Sequence, residues 1–194
     1  SWPVEALNQD EISFVELKKE QSHLICGFHG HSLMDHEKYA LHVIQSILAG
    51  MGWRLFIELR EKNSLAYSVS PLSQEGLEKG YFGAYIGCSP DKVQKALEMM
   101  KIEFNKLCDK KVSDLELSRA KKYIVGRHDI DLQRTGALAS SILYNEIYGL
   151  DPLETFNVAE HYFAVTADQV LSLANRIFRQ KSVVSLVGPN NPLF

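Results

Sequence analysis

The chain has 194 residues, of which 45% are hydrophobic and 23% are charged. These values are typical of one globular domain that can bury its own core, and they exclude a collagen, a coiled-coil rod and a disordered tail. The net charge of −3 gives no basic excess, so we expect no nucleic-acid partner. Because no apolar run reaches the length of a transmembrane helix, we also expect no membrane insertion.

The cysteines and the first residues bear on the context of the chain. Cys26, Cys88 and Cys108 are odd in number and widely spaced, so they form neither a C-x-x-C pair nor a disulfide framework. We interpret them as buried thiols. The chain starts at Ser1 without an initiator methionine, and we expect residues 1–194 to be a single domain of a longer, multi-domain chain.

The first half of the sequence alternates between strand and helix patterns. Apolar runs at 12–17 and 23–28 flank a polar turn and predict a β-hairpin. Asp35 can cap a helix that ends at Gly50, and a short helix is predicted at 54–62. Alternation at 65–70 and an apolar run at 81–88 predict two further strands.

The second half is mainly helical. Ser89-Pro90-Asp91 starts a helix with an apolar face that continues to Leu107. Ser113 and Glu116 form a capping-box pattern for the next helix. Three more helices are predicted: one at 136–148, one opening at Asp151 and one at Thr166; a strand at 182–187 follows them. Strands early and helices late favour an α+β fold, in which the last strand returns to the sheet formed by the first ones.

Histidines are the first candidates for metal chemistry. His29 and His31 would share one face of a strand, but His36 and His42 are six residues apart and miss the spacing of a helical zinc motif. The segment 157–161 resembles an inverted zinc motif, H-x-x-E-H, with Asn157 in place of the first histidine. A catalytic zinc site needs three protein ligands, so we expect no metal site here and expect Glu160 and His161 to face solvent.

One segment carries a more specific pattern. The sequence 48–69 resembles a signature of the pitrilysin, insulinase and mitochondrial processing peptidase family of zinc metallopeptidases. The matching residues are Gly50, Met51, Arg54, Leu55, Phe56, Leu59, Arg60, Glu61, Lys62, Leu65, Ala66, Tyr67 and Val69. Ala49 and Gly52-Trp53 depart from the pattern. The segments 80–92 and 183–189 resemble a strand-into-helix motif and the last strand of the same family.

The resemblance implies a fold, a partner and a role. The fold is a mixed, largely antiparallel sheet with helices packed on one face. In this family the H-x-x-E-H zinc site lies in the preceding domain, and no histidine here has a glutamate and a second histidine at those offsets. The chain therefore resembles the inactive, non-zinc-binding domain. The resemblance implies that its partner is a homologous zinc-binding domain or subunit and that its substrate is an extended peptide.

The same resemblance implies that Arg60 and Tyr67, seven residues apart, reach the substrate beside the zinc. Amide hydrolysis develops negative charge on the carbonyl oxygen, and one preorganised donor there can supply roughly 2.7–4 kcal/mol. A purely structural interpretation pairs Arg60 with Glu58 or Glu61 and places Tyr67 in the core. As functional alternatives, the chain is a non-catalytic assembly subunit like the core proteins of respiratory complexes, or a stand-alone hydrolase that uses His29, His31 or His161.

Overall fold

The computed structural model describes residues 7–49 and 54–193, so positions 50–53 of the signature and the predicted helix end at Gly50 lie outside the described residues. The described elements, in chain order, are β1 (Glu11–Glu16), β2 (Ser22–His29), α1 (Lys38–Leu48), a π-helical segment (Phe56–Lys62), β3 (Ser68–Gln74), β4 (Tyr81–Cys88), a 3₁₀ turn (Pro90–Lys92), α2 (Val93–Asp109), α3 (Asp114–Leu132), α4 (Thr135–Ile147), α5 (Glu154–Ala164), α6 (Ala167–Phe178) and β5 (Val183–Gly188).

The five strands form one mixed, largely antiparallel sheet in the order β1-β5-β2-β4-β3. β5 lies between β1 and β2; it pairs in parallel with β1, from Glu11 opposite Val183, and antiparallel with β2. The last strand therefore returns to the early sheet, as the sequence predicts. The predicted hairpin of β1 and β2 is wrong, because β5 separates the two strands.

The helices cover one face of the sheet, which confirms the α+β architecture. Side chains that point to this face are fully buried, among them Leu24 of β2, Phe82 and Ile86 of β4, and Leu186 of β5. Helices α2 and α6 pack against them through an aromatic cluster in which the Phe104 and Phe178 rings stack at 4.6 Å. The opposite face keeps exposed side chains, including Ile25, Tyr81 and Val183.

Among the described α-helices, α3 and α6 start with side-chain caps, whereas α1 follows Glu37 without one, so the predicted cap Asp35 is not the N-cap of α1. Thr166 and Gln169 form a complete capping box at the start of α6. Ser113 accepts the N–H of Glu116 at 3.2 Å, but the Glu116 carboxylate does not return to Ser113 and instead binds Arg54. The predicted capping box of α3 is therefore half formed.

Helices α3, α4 and α5 form a smaller layer in which α4 buries none of its 13 residues. The α4 side chains Leu143, Tyr144 and Ile147 are 56%, 56% and 61% exposed, although they are large and apolar. Polar contacts join the layer: Ser141 donates to Thr155 Oγ1 at 2.9 Å, and His128 Nε2 lies 2.7 Å from the Thr155 carbonyl oxygen. Within the described ranges, no helix is long and apolar enough to cross a membrane.

Candidate functional site

The segment that carries Arg60 starts with two α-helical residues and continues as a π-helix at Phe56–Lys62. Leu55 and Leu59 are 1% and 0% exposed and fix the inner side of the segment in the core. A π-helix has a wider turn than an α-helix and is frequent at functional sites. The sequence predicts a helix here but carries no signal for its π-helical form.

A compact turn connects this helix to β3. The carbonyl oxygen of Leu59 accepts two N–H groups, from Leu65 at 2.7 Å and from Ala66 at 3.2 Å. Ser64 adopts a positive φ of 50°, which a non-glycine residue rarely takes. The bond between Ala66 and Leu59 joins the residues that precede Tyr67 and Arg60. The turn therefore brings the backbones of the two predicted site residues close to each other.

Arg60 is exposed, and its guanidinium carbon lies 5.1 Å from the centre of the Phe56 ring, a cation–π contact. Glu58 binds Lys62 at 2.6 Å. Within the described part of the chain, Arg60 has no ion pair with Glu58 or Glu61. The structural interpretation of Arg60 as an ion-pair partner is therefore wrong, and its donors face solvent.

Tyr67 is 57% exposed, so it is not a core tyrosine. Its N–H donates to the carbonyl oxygen of Gly87 at 2.8 Å, which ties its backbone to β4. Its hydroxyl oxygen lies 2.9 Å from Ser89 Oγ. The regular strand begins only at Ser68, and Leu65 and Ala66, which the alternation assigns to the strand, are buried in the turn.

Two contacts anchor the segment to the helices behind it. Arg54 makes two parallel hydrogen bonds to Glu116 of α3, Nε to Oε1 at 2.7 Å and Nη2 to Oε2 at 2.8 Å. These bonds raise the pKa of Arg54. Lys92 Nζ donates to the Ser64 carbonyl oxygen at 2.9 Å. The segment is thereby held at Arg54 by α3 and at Ser64 by Lys92, the residue before α2.

The arrangement offers hydrogen-bond donors to a ligand. A guanidinium carries five N–H donors and a phenol carries one O–H donor, and both groups can bind an oxygen that becomes negatively charged. Both groups act here as hydrogen-bond donors, and neither is the carboxylate or imidazole base that usually activates a water molecule. The segment is therefore suited to binding and stabilising a substrate.

The structure places His31 beside two carboxylates rather than beside His36 or His42. Ligand atoms of His31, Asp35 and Glu37 lie within 4.8 Å of one another. His31 Nδ1 already pairs with Asp35 Oδ2 at 2.7 Å, and Glu37 pairs with Arg176. Because two of these groups bind each other and the third binds a guanidinium, we interpret the group as an ion-pair cluster and not as a zinc site. The three residues line a cavity of about 460 Å³, and His29 lines this cavity as well.

Sequence reasoning missed a polar network on α1 and α5. His42 bridges Tyr162, whose hydroxyl is 2.7 Å from His42 Nδ1, and Glu75, which binds Nε2. Burial raises the pKa of Tyr162. The pKa of Glu75 is lowered overall. Burial alone would raise it, but the hydrogen bond to His42 and the charge of that imidazole outweigh burial. The partners lie 33 and 120 residues from His42, so no spacing rule could have found them.

The segment 157–161 does not form a zinc motif. Asn157 and Glu160 are exposed, as expected for Glu160. His161 is half-buried: its Nε2 pairs with Glu154 Oε1 at 2.9 Å, and its ring stacks on Tyr39 at 4.7 Å. His161 therefore faces solvent only in part, because α5 turns one side of the ring toward α1.

Comparisons with known proteins concern the family and the fold of the chain. Residues 3–124 match the family model of the peptidase M16 inactive domain. An uncharacterised zinc protease of Streptomyces coelicolor is 31% identical over 179 residues, which cover 92% of this chain and 39% of that protein. An uncharacterised zinc protease of Rickettsia bellii is 29% identical, with 92% and 44% covered. The chain thus spans less than half the length of these curated relatives.

Solved structures show the same fold. A peptidase M16 inactive domain from Pseudomonas fluorescens superposes with a TM-score of 0.83 at 21% identity, covering 97% of this chain and 47% of that one. A chain of Complex III2 from Candida albicans superposes with a TM-score of 0.83 at 18% identity, with 97% and 47% covered. At these identities the similarity concerns the fold alone.

Proposed function

Because the chain belongs to the family of peptidase M16 inactive domains, we propose that it is the non-zinc-binding domain of a zinc metalloendopeptidase. It closes over an extended peptide and donates Arg60 and Tyr67 to the substrate, while the zinc and its ligands belong to a homologous partner domain or subunit. The zinc supplies the activated water. This chain supplies donors for the carbonyl oxygen of the scissile amide.

The observation that carries the proposal is the exposure of both donors on an anchored turn. Arg60 and Tyr67 lack the buried contacts of structural residues, although the backbone between them is held by the Leu59 carbonyl and by Lys92. Side chains placed by a rigid backbone and open to solvent fit a role in which a ligand completes their hydrogen bonds. An oxyanion that forms during amide hydrolysis is such a ligand.

The α4 surface supports the proposed partner. An exposed apolar cluster of Leu143, Tyr144 and Ile147 is unusual for an isolated domain and typical of a protein contact. The relatives that this chain matches contain more than twice its length in total, which leaves room for a second domain of similar size. A zinc-binding domain that packs on α4 would bury these side chains.

The alternative of a non-catalytic assembly subunit shares the fold, as the similarity to a Complex III2 chain illustrates. It requires no exposed donors at Arg60 and Tyr67. The exposure of both side chains therefore favours the peptidase.

Reconstitution tests the proposal. We expect this domain alone to leave an internally quenched fluorogenic peptide uncleaved, because its sequence lacks the H-x-x-E-H zinc motif. Adding the zinc-binding half of the same protein should give cleavage that a chelator stops. An Arg60→Ala domain should bind the zinc-binding half equally well but give less cleavage, and Arg60→Lys should restore only part of it, since lysine lacks the planar fork. Chelator-insensitive cleavage by the domain alone would refute the proposal, and full activity with Arg60→Ala would refute the role of Arg60.

A further inference from the structure

We propose that Ser89 is a positioning residue for Tyr67: its hydroxyl, 2.9 Å from the Tyr67 hydroxyl, holds the phenol so that the phenol hydrogen points to the substrate. This inference rests on the proposed function of Tyr67. It adds to that function a residue on another element, at the start of the 3₁₀ turn that leads into α2.

The first argument is that Ser89 does not perform the usual task of a serine at its position. Ser89 precedes the 3₁₀ turn with an extended backbone, φ −67° and ψ 147°, yet its side chain makes no capping hydrogen bond. Among the described helix starts, the two other hydroxyl residues do cap: Ser113 accepts from Glu116 and Thr166 accepts from Gln169, each at 3.2 Å. A capping serine normally accepts such an N–H group. The Ser89 hydroxyl is directed to Tyr67 instead.

The second argument concerns the direction of the bond. Either hydroxyl can be the donor at this distance. When Ser89 donates, the Tyr67 oxygen is the acceptor and the phenol hydrogen is free for the substrate oxygen. Hydrogen bonds in a chain polarise one another, so a phenol that accepts a bond is a better donor. A carbonyl oxygen that gains negative charge selects this direction.

The third argument is that the same turn holds the other end of the segment. Lys92 donates from Nζ to the Ser64 carbonyl oxygen at 2.9 Å, and the Lys92 N–H donates to the Ser89 carbonyl oxygen at 3.0 Å. The turn at 89–92 thus holds the segment at two points: Lys92 binds the Ser64 carbonyl oxygen, and Ser89 binds the Tyr67 hydroxyl. An exposed tyrosine side chain would otherwise sample several rotamers.

The experiment measures steady-state kinetics in the intact protein that contains this domain and its zinc-binding half, with the fluorogenic peptide as substrate. We expect Ser89→Ala to lower kcat about tenfold with KM within twofold, a smaller loss than removal of the donor itself. Ser89→Thr keeps the hydroxyl and should recover most of the activity. Thr166→Ala is the matched control, because it removes a hydroxyl that caps α6 and whose hydrogen bonds go to Gln169, and it should leave kcat unchanged.

A double mutant separates positioning from a structural effect. In a Tyr67→Phe background there is no hydroxyl to position, so Ser89→Ala should cause no further loss of kcat. If the two losses multiply instead, Ser89 does not act through Tyr67 and the inference is wrong. If Tyr67→Phe lowers kcat but Ser89→Ala does not, the inference fails while the proposed function stands. If Tyr67→Phe leaves kcat intact, the proposed role of Tyr67 fails, and the inference fails with it.

Discussion

Replacing Arg54 by lysine should destabilise the domain even though the charge is kept. Arg54 binds both oxygens of Glu116, at 2.7 and 2.8 Å, and the two side chains are 22% and 25% exposed. A hydrogen bond between charged groups contributes about 1.5–3 kcal/mol when it is shielded from water, and partial exposure reduces this value. We therefore expect the free energy of unfolding to fall by about 2 kcal/mol for Arg54→Ala and about 1 kcal/mol for Arg54→Lys, since lysine cannot make the paired bonds.

Urea unfolding of this domain at neutral pH measures the loss, and thermal unfolding should show a lower Tm by about 2–4 °C per kcal/mol. Arg134→Lys is the control: Arg134 binds Asp131 at 2.7 Å, but the two side chains are 72% and 46% exposed. We expect a change within about 0.5 kcal/mol there. Equal losses for Arg54→Lys and Arg134→Lys would refute the reasoning. So would a double-mutant cycle with Glu116→Gln that shows no coupling between Arg54 and Glu116.

The remaining predictions concern acid stability, thiols and metal. Hydrogen bonds from Ser182 lower the pKa of Asp10 in the folded protein. The ionised Asp10 therefore stabilises the fold above the unfolded pKa of 3.8, and this stability is lost as the pH falls through the folded pKa. Wild type should exceed Asp10→Asn in stability near neutral pH, and the difference should shrink in acid denaturation series. Burial raises the pKa of Cys26 and Cys88 to about 11, so both thiols should react slowly with a thiol reagent in the folded protein and quickly after unfolding; equal rates would show that they are accessible. Elemental analysis of the domain after dialysis should find no stoichiometric zinc, and a full equivalent would mean that the cluster around His31 binds metal.

Helices and the α+β class could be predicted because their signals are local. Ser113 and Thr166 mark helix starts through hydrogen bonds to residues three positions away, and Pro90 marks one through its fixed φ; all three helices form there or within a few residues. The apolar run at Tyr81–Cys88 gives the interior strand β4 with the same bounds. Local chemistry of this kind needs no knowledge of the rest of the chain.

Strand neighbours could not be predicted in the same way. The runs that became β1 and β2 are close in sequence and resemble a hairpin, but β5 inserts between them from more than 150 residues away. The position of β5 depends on its pairing with strands far away in the sequence, which local patterns do not encode. Glu116 shows the same effect on a smaller scale: its carboxylate leaves the local cap for Arg54, 62 residues away.

The candidate site was partly accessible from the sequence. The signature identifies Arg60 and Tyr67 as candidates. It does not give their exposure, the Leu59 carbonyl that closes the turn between them or the contact of Tyr67 with Ser89. The Ser89 contact depends on the pairing of β3 with β4, which aligns residues that are 22 positions apart.

The most direct test of the central claim is the kinetics of Tyr67→Phe in the intact protein that contains both domains. The change removes one exposed hydroxyl and little volume, so the Tm should stay within a few degrees of wild type. If the hydroxyl binds charge that appears mainly in the transition state, kcat and kcat/KM should fall together by about 10²–10³ with KM nearly constant. An unchanged kcat with a Tm lowered by several degrees would show that Tyr67 is a structural residue and would contradict the proposed role of this domain in catalysis.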